Sequence, residues 1–344
     1  MKVLYALVAC MLTVTVAFGQ NVKEKKFSGR FAASRGKLMI DNRYGKVDIN
    51  TWDRNEVTVD ITVTAKAKSM GRVQELLDRV SISEPGNGSN GINYKTIIGK
   101  GQTVNNLNGE FSVDYVINMP RKHTAEFINK FGDMDIEDVE GKLKINLEYG
   151  NLKTATVRGS DPDIHVKFGS ATIASMESGS IDIGYSKLSI ERAGSIKVSN
   201  EFGKTTIGII RDLDITQRYG DLKIGTVNRL KGSVEFAGLD VDKLLKSVQM
   251  TMDHGSGARF DYVGPDVDNI NVKTSFSNQY YHFDKAASLS ADITTSFGKV
   301  NNDAGNVSLT ESKPDRHGGI YKGKVGSGRG NMDLSASYGN IVFR

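Results

Sequence analysis

The sequence predicts an all-β protein whose middle is a parallel β-solenoid of about 17-residue, two-strand coils. Three observations favour this fold. An aromatic residue followed by a small one recurs at nearly constant spacing, apolar and polar residues alternate around each copy, and charges at equivalent positions change sign between copies. The composition agrees, because 37 Gly against 5 Pro in 344 residues suits many strands joined by tight corners.

An aromatic–Gly pair, or a close variant, marks each copy of the repeat. In the regular part the intervals are 18, 19, 17, 17, 17 and 17 residues, and the aromatic residues are Phe131, Tyr149, Phe168, Tyr185, Phe202, Tyr219 and Phe236. Outlying copies occur at Tyr44, Phe297 and Tyr338. Repetition at such a period is the signature of a stacked repeat fold.

Each copy contains two short strands. Apolar residues occupy the third, fifth and eighth positions after the aromatic residue, as at Leu222, Ile224 and Val227. A second alternating run precedes the next aromatic residue, as at Leu213 and Ile215. Alternation of period two is the pattern of a half-buried strand.

A corner separates the two strands at the glycine. The inward pattern slips by one residue there, so that Phe202 and Thr205 are both predicted to face inward. Glycine suits such a corner because it tolerates positive φ and close backbone approach. We therefore expect the aromatic rings to stack from coil to coil as an internal ladder.

Charges at equivalent outward positions distinguish a solenoid from an antiparallel β-meander, the alternative fold for a two-strand repeat. They alternate in sign at intervals of 17 in Lys197/Asp214/Lys231 and Glu201/Arg218/Glu235, and pair as Lys204/Asp221 and Lys223/Asp240. Alternation stabilises only if equivalent residues lie on adjacent strands, about 4.8 Å apart. The pattern favours the solenoid.

Residues 1–19 are predicted to be a signal peptide, with Lys2 at its start and a small-x-small cleavage site at Ala17-Phe18-Gly19. The sixteen-residue apolar run from Val3 to Phe18 is too short for a spanning helix. Leu7-Val8-Ala9-Cys10 is similar to a lipobox, but the apolar run continues past Cys10, which disfavours lipid anchoring there. We predict export to the periplasm or surface of a Gram-negative bacterium, with no transmembrane segment after cleavage.

The rest of the chain divides into four predicted segments. Residues 20–26 form a polar leader, and residues 27–120 form strands with one helix at about 70–80, capped by Ser69 and expected to cap the solenoid. Regular coils occupy 121–252, and less regular coils occupy 253–344.

Candidate chemical motifs do not form a recognisable site. The five His residues, at 123, 165, 254, 282 and 317, lack the spacing of metal ligands. The acidic pairs Asp161/Asp163, Asp212/Asp214 and Asp240/Asp242 are scattered or matched by opposite charges one repeat away. Gly326–Gly330 is favoured as a flexible loop over an anion cradle. We predict no catalytic, cofactor-binding or metal-binding residues and no enzymatic activity; the sequence assigns no binding residues.

Basic residues are not concentrated as in a nucleic-acid-binding protein. The formal net charge is only +5, and the densest basic cluster, Lys23-Glu24-Lys25-Lys26, is interrupted by an acid. Nucleic acid is therefore not an expected partner.

Several segments together resemble the β-strand-repeat family of bacterial envelope proteins, which is of unknown function and often labelled adhesin by inference from fold. They are the aromatic–Gly repeat, Asp48-Ile49-Asn50-Thr51-Trp52-Asp53, Leu76-Leu77-Asp78 and Ser337-Tyr338-Gly339-Asn340-Ile341. The resemblance supports the fold, implies an adhesin-like binding or structural role toward an unknown protein or glycan, and supplies no catalytic residues. The alternatives are a periplasmic accessory or signalling protein acting on a membrane partner, and a glycan-processing β-helix enzyme.

Overall fold

A computed structural model describes residues 14–17, 20–85, 91–99, 109–315 and 317–344. Most of the predicted signal peptide, including Cys10, lies outside the described residues. The chain divides into two compact units, residues 1–172 and 173–344. No helix in the described ranges is long and apolar enough to span a membrane.

The first unit is almost entirely β-structure. Its strands are β1 (Val14–Ala17), β2 (Gln20–Ala32), β3 (Leu38–Arg43), β4 (Val47–Trp52), β5 (Glu56–Ala67), β6 (Val80–Ser83), β7 (Ile92–Ile98), β8 (Gly109–Pro120), β9 (Ala125–Lys130), β10 (Met134–Ile136), β11 (Leu143–Glu148), β12 (Asn151–Val157) and β13 (Asp163–Lys167), with a 3₁₀ turn at Ala33–Arg35. One further strand, β14 (Ser170–Gly184), runs from this unit into the second.

Strands of the first unit stack in parallel, as the solenoid prediction requires. One series pairs in the order β7, β3, β9, β11 and β13, and a second pairs β8, β4, β10 and β12. The coil formed by β3 and β4 therefore lies between the coil of β7 and β8, which follows it in the chain, and the coil of β9 and β10. The inward residues of these strands form an apolar core.

Antiparallel strands and one helix surround the outer strand β8. Strand β5 pairs antiparallel with β8, β2 with β5, and β1 with β2. Helix α1 (Met70–Asp78) begins where predicted, because the Ser69 hydroxyl accepts a hydrogen bond from the Arg72 amide. It buries Val73, Leu76 and Leu77 and packs against β2, β5 and β8.

The second unit contains the long parallel strands of the regular repeat. Its strands are β15 (Lys187–Glu201), β16 (Thr205–Arg218), β17 (Leu222–Glu235), β18 (Leu239–Asp253), β19 (Ala258–Val263), β20 (Asn269–Ser275), β21 (Gln279–Phe283), β22 (Leu289–Ser296), β23 (Val300–Asn302), β24 (Val307–Asp315), β25 (Gly318–Val325), β26 (Gly330–Ser337) and β27 (Ile341–Phe343).

Charge alternation correctly predicted the register of these strands. Asp214 lies opposite Lys197 on one side and Lys231 on the other, and its carboxylate is 3.0 Å from the Lys231 ammonium. Arg218 similarly lies 3.1 Å from Glu235 on the next strand. The parallel pairing contradicts the meander alternative and confirms the solenoid.

The last coil of the sequence does not stack in chain order. Strand β26 pairs in parallel with β20 on one side and β22 on the other, and β27 likewise lies between β21 and β23. Beyond β22, β25 pairs antiparallel with β22 and β24 with β25. The coil formed by residues 330–343 therefore lies between two coils that precede it in the chain.

Corner geometry corrects two predictions. The aromatic rings stack, but on the outside: Phe202 is 40% exposed, whereas Thr205 is fully buried. The aromatic residue itself takes the left-handed conformation, with φ of 57° at Phe202. Gly203, immediately after it, has no positive φ; a Cβ there would lie 1.8 Å from the carbonyl oxygen of Ser186 in the preceding coil. Close approach, rather than backbone freedom, is what this glycine supplies.

Candidate functional site

In the part of the chain that the structure describes, five of the six acidic residues singled out in the sequence, all except Asp161, contact basic side chains or hydrogen-bond donors. Asp212 accepts a hydrogen bond from the Ser195 hydroxyl at 2.6 Å and also contacts Arg211 and Arg229. The Ser195 hydrogen bond contributes most to holding the pKa of Asp212 below its ordinary value, and the two arginines add to it. A general acid needs a raised carboxyl pKa, so this environment does not suit acid catalysis.

Three further acidic residues from these pairs also contact basic side chains. Asp163 contacts Lys144 and His165, Asp240 contacts Arg259 at 3.7 Å, and Asp242 contacts Lys223 at 3.9 Å. Among the described residues, no group of three or more His, Cys, Asp or Glu side chains could hold a metal ion.

The Gly326–Gly330 segment is the turn between β25 and β26. The Arg329 amide donates to the Ser288 hydroxyl at 3.0 Å, and the amides of Gly326, Gly328 and Gly330 donate to backbone carbonyls. An anion cradle needs several free amides converging on one point. Because these four are occupied, the loop interpretation is the better one.

The most distinctive surface is a line of exposed rings on the second unit, here called the second-unit ladder. Neighbouring rings stack with centroids 4.5–5.3 Å apart, and the rings are, in spatial order, Tyr185, Phe202, Tyr219, Phe236, His254, Phe276, Tyr338 and Phe297. The seven Phe and Tyr members are 38–56% exposed. Together they form a continuous line of exposed aromatic side chains, and a large contiguous apolar patch on a protein surface commonly marks an interaction site.

Three members of the ladder, His254, Phe276 and Tyr338, were not placed from the repeat alone. His254 occupies an aromatic position, stacks between Phe236 and Phe276, and has Nδ1 2.9 Å from the Asp253 carboxylate. Tyr338 lies between Phe276 and Phe297 because the last coil is inserted there. The signal that could have identified His254 was the following Gly255, which keeps the ring–glycine pair of the repeat.

The left-handed backbone at each ring sets the direction in which the ring points. Every member of the ladder has φ between 50° and 57°, a region that side chains with a Cβ seldom occupy. Because of this backbone conformation, the ring does not point inward with the alternate residues of the preceding strand. It lies on the outside of the coil, at the convex corner. Stacking on two neighbours offsets this strain, since an aromatic pair contributes about 0.5 to 1.5 kcal/mol beyond area burial.

Buried amide side chains hold the corners from inside. The Gln217 amide nitrogen donates to the carbonyls of Gly203 and Gly220 at 2.7 and 3.1 Å, and its oxygen accepts from the Thr205 hydroxyl at 2.8 Å. Asn129 does the same in the first unit, donating to the carbonyls of Gly45 and Gly132 at 3.0 and 2.9 Å. The corner carbonyls thus keep hydrogen bonds that the strands cannot supply.

The first unit has a shorter ladder of its own. Tyr44, Phe131, Tyr149 and Phe168 stack at 4.7–5.1 Å, and Phe111 covers Tyr44 edge-on at 5.4 Å. Because Tyr44 is partly buried, three rings of this stack remain widely exposed. The second-unit ladder is the longer contact surface.

Polar residues flank the second-unit ladder on both sides and differ along its length. The residues just before the rings are Gly184, Glu201, Arg218, Glu235, Asp253, Ser275, Ser337 and Ser296 in spatial order. Two residues after the rings, Asn278 and Asn340 form a second neutral series: the Asn278 oxygen accepts from the Asn340 amide at 2.8 Å, and the Asn340 oxygen from the Lys299 amide at 2.9 Å.

The ladder presents mainly a contact surface. The ring faces cover one another, so a ligand meets ring edges, tyrosine hydroxyls and the flanking polar side chains. Sites for small molecules are concave, whereas this ladder lies along a convex corner. The arrangement suits a large partner.

Comparison with known proteins adds three solved structures of low similarity. They are described as a "putative cell adhesion protein" from Clostridium sporogenes (12% identity, 93% of this chain and 98% of that chain, TM-score 0.18), a "putative adhesin" from Parabacteroides distasonis (12%, 93% and 97%, 0.31) and a "putative lipid binding protein" from the same organism (11%, 93% and 96%, 0.24). No protein-family model and no curated protein matches the chain. The adhesin descriptions agree with the family resemblance in the sequence; at these TM-scores the likeness carries no argument here.

Proposed function

We propose that this chain is a non-enzymatic, adhesin-like protein of the bacterial envelope that binds a macromolecular partner through the second-unit ladder. The observation that carries the proposal is the eight-ring line of exposed, stacked side chains on one convex corner. Aromatic side chains are enriched among the residues that dominate protein interfaces, because each adds a large rigid contact area at a small entropic cost.

A substitution pair separates the ladder from exposed apolar surface in general. Phe276→Asn removes a ring that is 49% exposed, and Asn is among the residues that best tolerate the left-handed φ of this position. Ile209→Asn is the matched control, because Ile209 is 53% exposed on the same unit and lies off the ladder.

Binding of the full chain to isolated envelope fractions and to whole cells tests the proposal. We expect Phe276→Asn to weaken binding at least about tenfold, as loss of an interface hot spot does, and Ile209→Asn to leave it unchanged. Recovery of the bound partner with unaltered mass is expected of a protein without turnover. Equal binding by wild type and Phe276→Asn, with both folded, would refute the ladder as the contact surface.

The location of the protein is a separate part of the proposal, and it rests on the signal peptide predicted at residues 1–19. Protease shaving of intact cells, with a periplasmic protein as the intactness control, tests it. Release of peptides from this chain while the control survives indicates the cell surface. Protection until the outer membrane is breached indicates the periplasm and a partner there.

A further inference from the structure

We infer that the ladder segment formed by Phe276, Tyr338 and Phe297 binds an uncharged, polyhydroxylated linear polymer, that is, a neutral polysaccharide. This inference rests on the proposed binding role of the ladder and specifies which part of the ladder binds and which class of ligand it binds. Three properties of this segment lead to it.

The first property is the low charge of the residues that flank this segment. Ser275, Ser337 and Ser296 directly precede the three rings, where the earlier part of the ladder has Glu201, Arg218, Glu235 and Asp253. Asn278 and Asn340 follow Phe276 and Tyr338 by two residues, and Lys299, at the same place after Phe297, is the one charged residue in these two flanking series beside the three rings. Hydroxyl and amide groups both donate and accept hydrogen bonds, which is the chemistry that sugar hydroxyls require.

The second property is exposure. Residues Phe276, Tyr338 and Phe297 are 49%, 51% and 54% exposed, against 40%, 38% and 45% for Phe202, Tyr219 and Phe236 in the charged part. Arg218 and Glu235, which flank the charged part, lie 3.1 Å apart and satisfy each other. A ligand there would have to displace this ion pair. In the neutral segment the Asn278 nitrogen donates to the Tyr280 hydroxyl at 3.2 Å and the two asparagine oxygens accept backbone amides, so a ligand meets uncharged groups and breaks no ion pair with them.

The third property is regularity on a convex surface. Phe276, Tyr338 and Phe297 are spaced at 4.7 Å and nearly parallel, so a ring and a preceding serine recur at each coil, and an asparagine recurs at two of the three. A repeating polymer lying along the stack can make the same contacts at every step, but a folded protein surface lacks such periodicity. Because the faces of the rings are covered, each sugar gains only edge contacts and hydrogen bonds, and affinity must accumulate along the chain.

Isothermal titration of the full chain with dextran, with a linear neutral β-glucan and with alginate as the anionic counterpart tests the inference. We expect binding of at least one neutral polymer, affinity that rises with oligosaccharide length, and little change between about 50 and 500 mM salt, because no charges are involved. Preference for alginate, or loss of binding at high salt, would overturn it.

Two matched tyrosine variants locate the site on the ladder. Tyr338→Asn and Tyr219→Asn each remove one ring with two stacked neighbours at 4.6–5.0 Å. We expect Tyr338→Asn to weaken polysaccharide binding about tenfold or more, Tyr219→Asn to weaken it much less, and Ile209→Asn, off the ladder, to leave it unchanged. Equal effects would contradict the assignment to the neutral segment.

A gentler variant guards against misfolding, and the outcomes separate the two proposals. Ser337→Ala keeps all rings and removes one flanking hydroxyl, so a several-fold weakening without a change in unfolding midpoint is expected; no effect would count against hydroxyl recognition. If envelope fractions bind in a Phe276-dependent way but no neutral polysaccharide does, the inference fails and the proposed binding role stands. If neither binds, the proposed role fails as well.

Discussion

Replacing Gly150 by alanine tests whether close approach of successive coils is what requires glycine at the corners. A Cβ at Gly150 would lie 2.1 Å from the carbonyl oxygen and 2.7 Å from the carbonyl carbon of Gly132, where real contacts do not fall below 3.0 Å. Both atoms are backbone, so the coils must separate locally by about 1 Å. Gly150 has no positive φ, so the effect is steric and does not come from dihedral strain.

The size of the effect follows from the coil-to-coil contacts. The Phe131 amide donates to the Glu148 carbonyl across the same two coils at 2.9 Å, and stretching this bond by about 1 Å takes it out of hydrogen-bonding range. Overpacking of this kind costs about 1 to 3 kcal/mol. We expect Gly150→Ala to lie at the upper end, because no flexible side chain can move aside.

Gly71 provides the matched control. It lies in α1, where a Cβ would meet nothing within 4 Å, so Gly71→Ala should stabilise the helix by about 0.5 to 1 kcal/mol. Urea unfolding measures both variants, with amide hydrogen exchange to localise the change, since stacked repeats need not unfold in one step. Equal stability of Gly150→Ala and wild type would refute the steric explanation.

Three further perturbations have defined outcomes. Leu334→Asp places a carboxylate in the buried centre of β26, so we expect the free energy of unfolding to fall by about 3 kcal/mol or more and residues 330–344 to be cleaved rapidly by protease. Protease resistance equal to that of the wild type would contradict the insertion of this coil between its neighbours. Asp214→Lys creates a row of three lysines on adjacent strands, one of them Lys231, and should lower the free energy of unfolding by about 1 kcal/mol. Asp214→Asn should lower it less. Denaturation at low salt measures both variants. Burial lowers the pKa of His123 in the folded state, so the unfolded chain binds the proton first and the free energy of unfolding falls as the pH drops below about 6.5. In a pH series of unfolding midpoints, His123→Asn should make this fall less steep. An unchanged slope would show that His123 is not the source of the pH dependence.

The stacking direction could be predicted because charge reports on neighbours that the hydrophobic pattern does not reveal. Inward apolar residues such as Leu222 and Ile224 would be buried in a meander or in a solenoid. Only the alternation around Asp214 requires equivalent residues to be adjacent. The helix could be placed for a similar local reason, since the Ser69 cap and the spacing of Val73, Leu76 and Leu77 involve near neighbours in the chain.

The outward direction of the rings could not be predicted from alternation. Alternation with a period of two holds only where each residue continues the pleated strand. On that assumption Phe202 is predicted to face inward. A left-handed residue breaks that assumption by turning its own side chain away, and aromatic residues are not expected there because φ > 0 is costly for a bulky side chain. The candidate site was missed largely for this reason: most of its rings were identified in the sequence but assigned to the interior, and Phe276 and His254 were not identified as members of the repeat.

The order of the coils lies beyond the sequence pattern for a different physical reason. Every coil presents the same parallel ladder of backbone groups to its neighbours, so the repeat identifies β26 as a coil without saying which two coils it joins. In the structure it pairs residue for residue with both β20 and β22, and in the first unit β3 lies between β7 and β9 in the same manner. The hairpin of β24 and β25 separates β22 from β26 in the chain and pairs antiparallel with β22, so the chain must turn back before its last coil forms. Because the inserted coil brings Tyr338 between Phe276 and Phe297, this return also completes the neutral segment of the ladder, and a chain ending before residue 330 would lack the central ring of the proposed site.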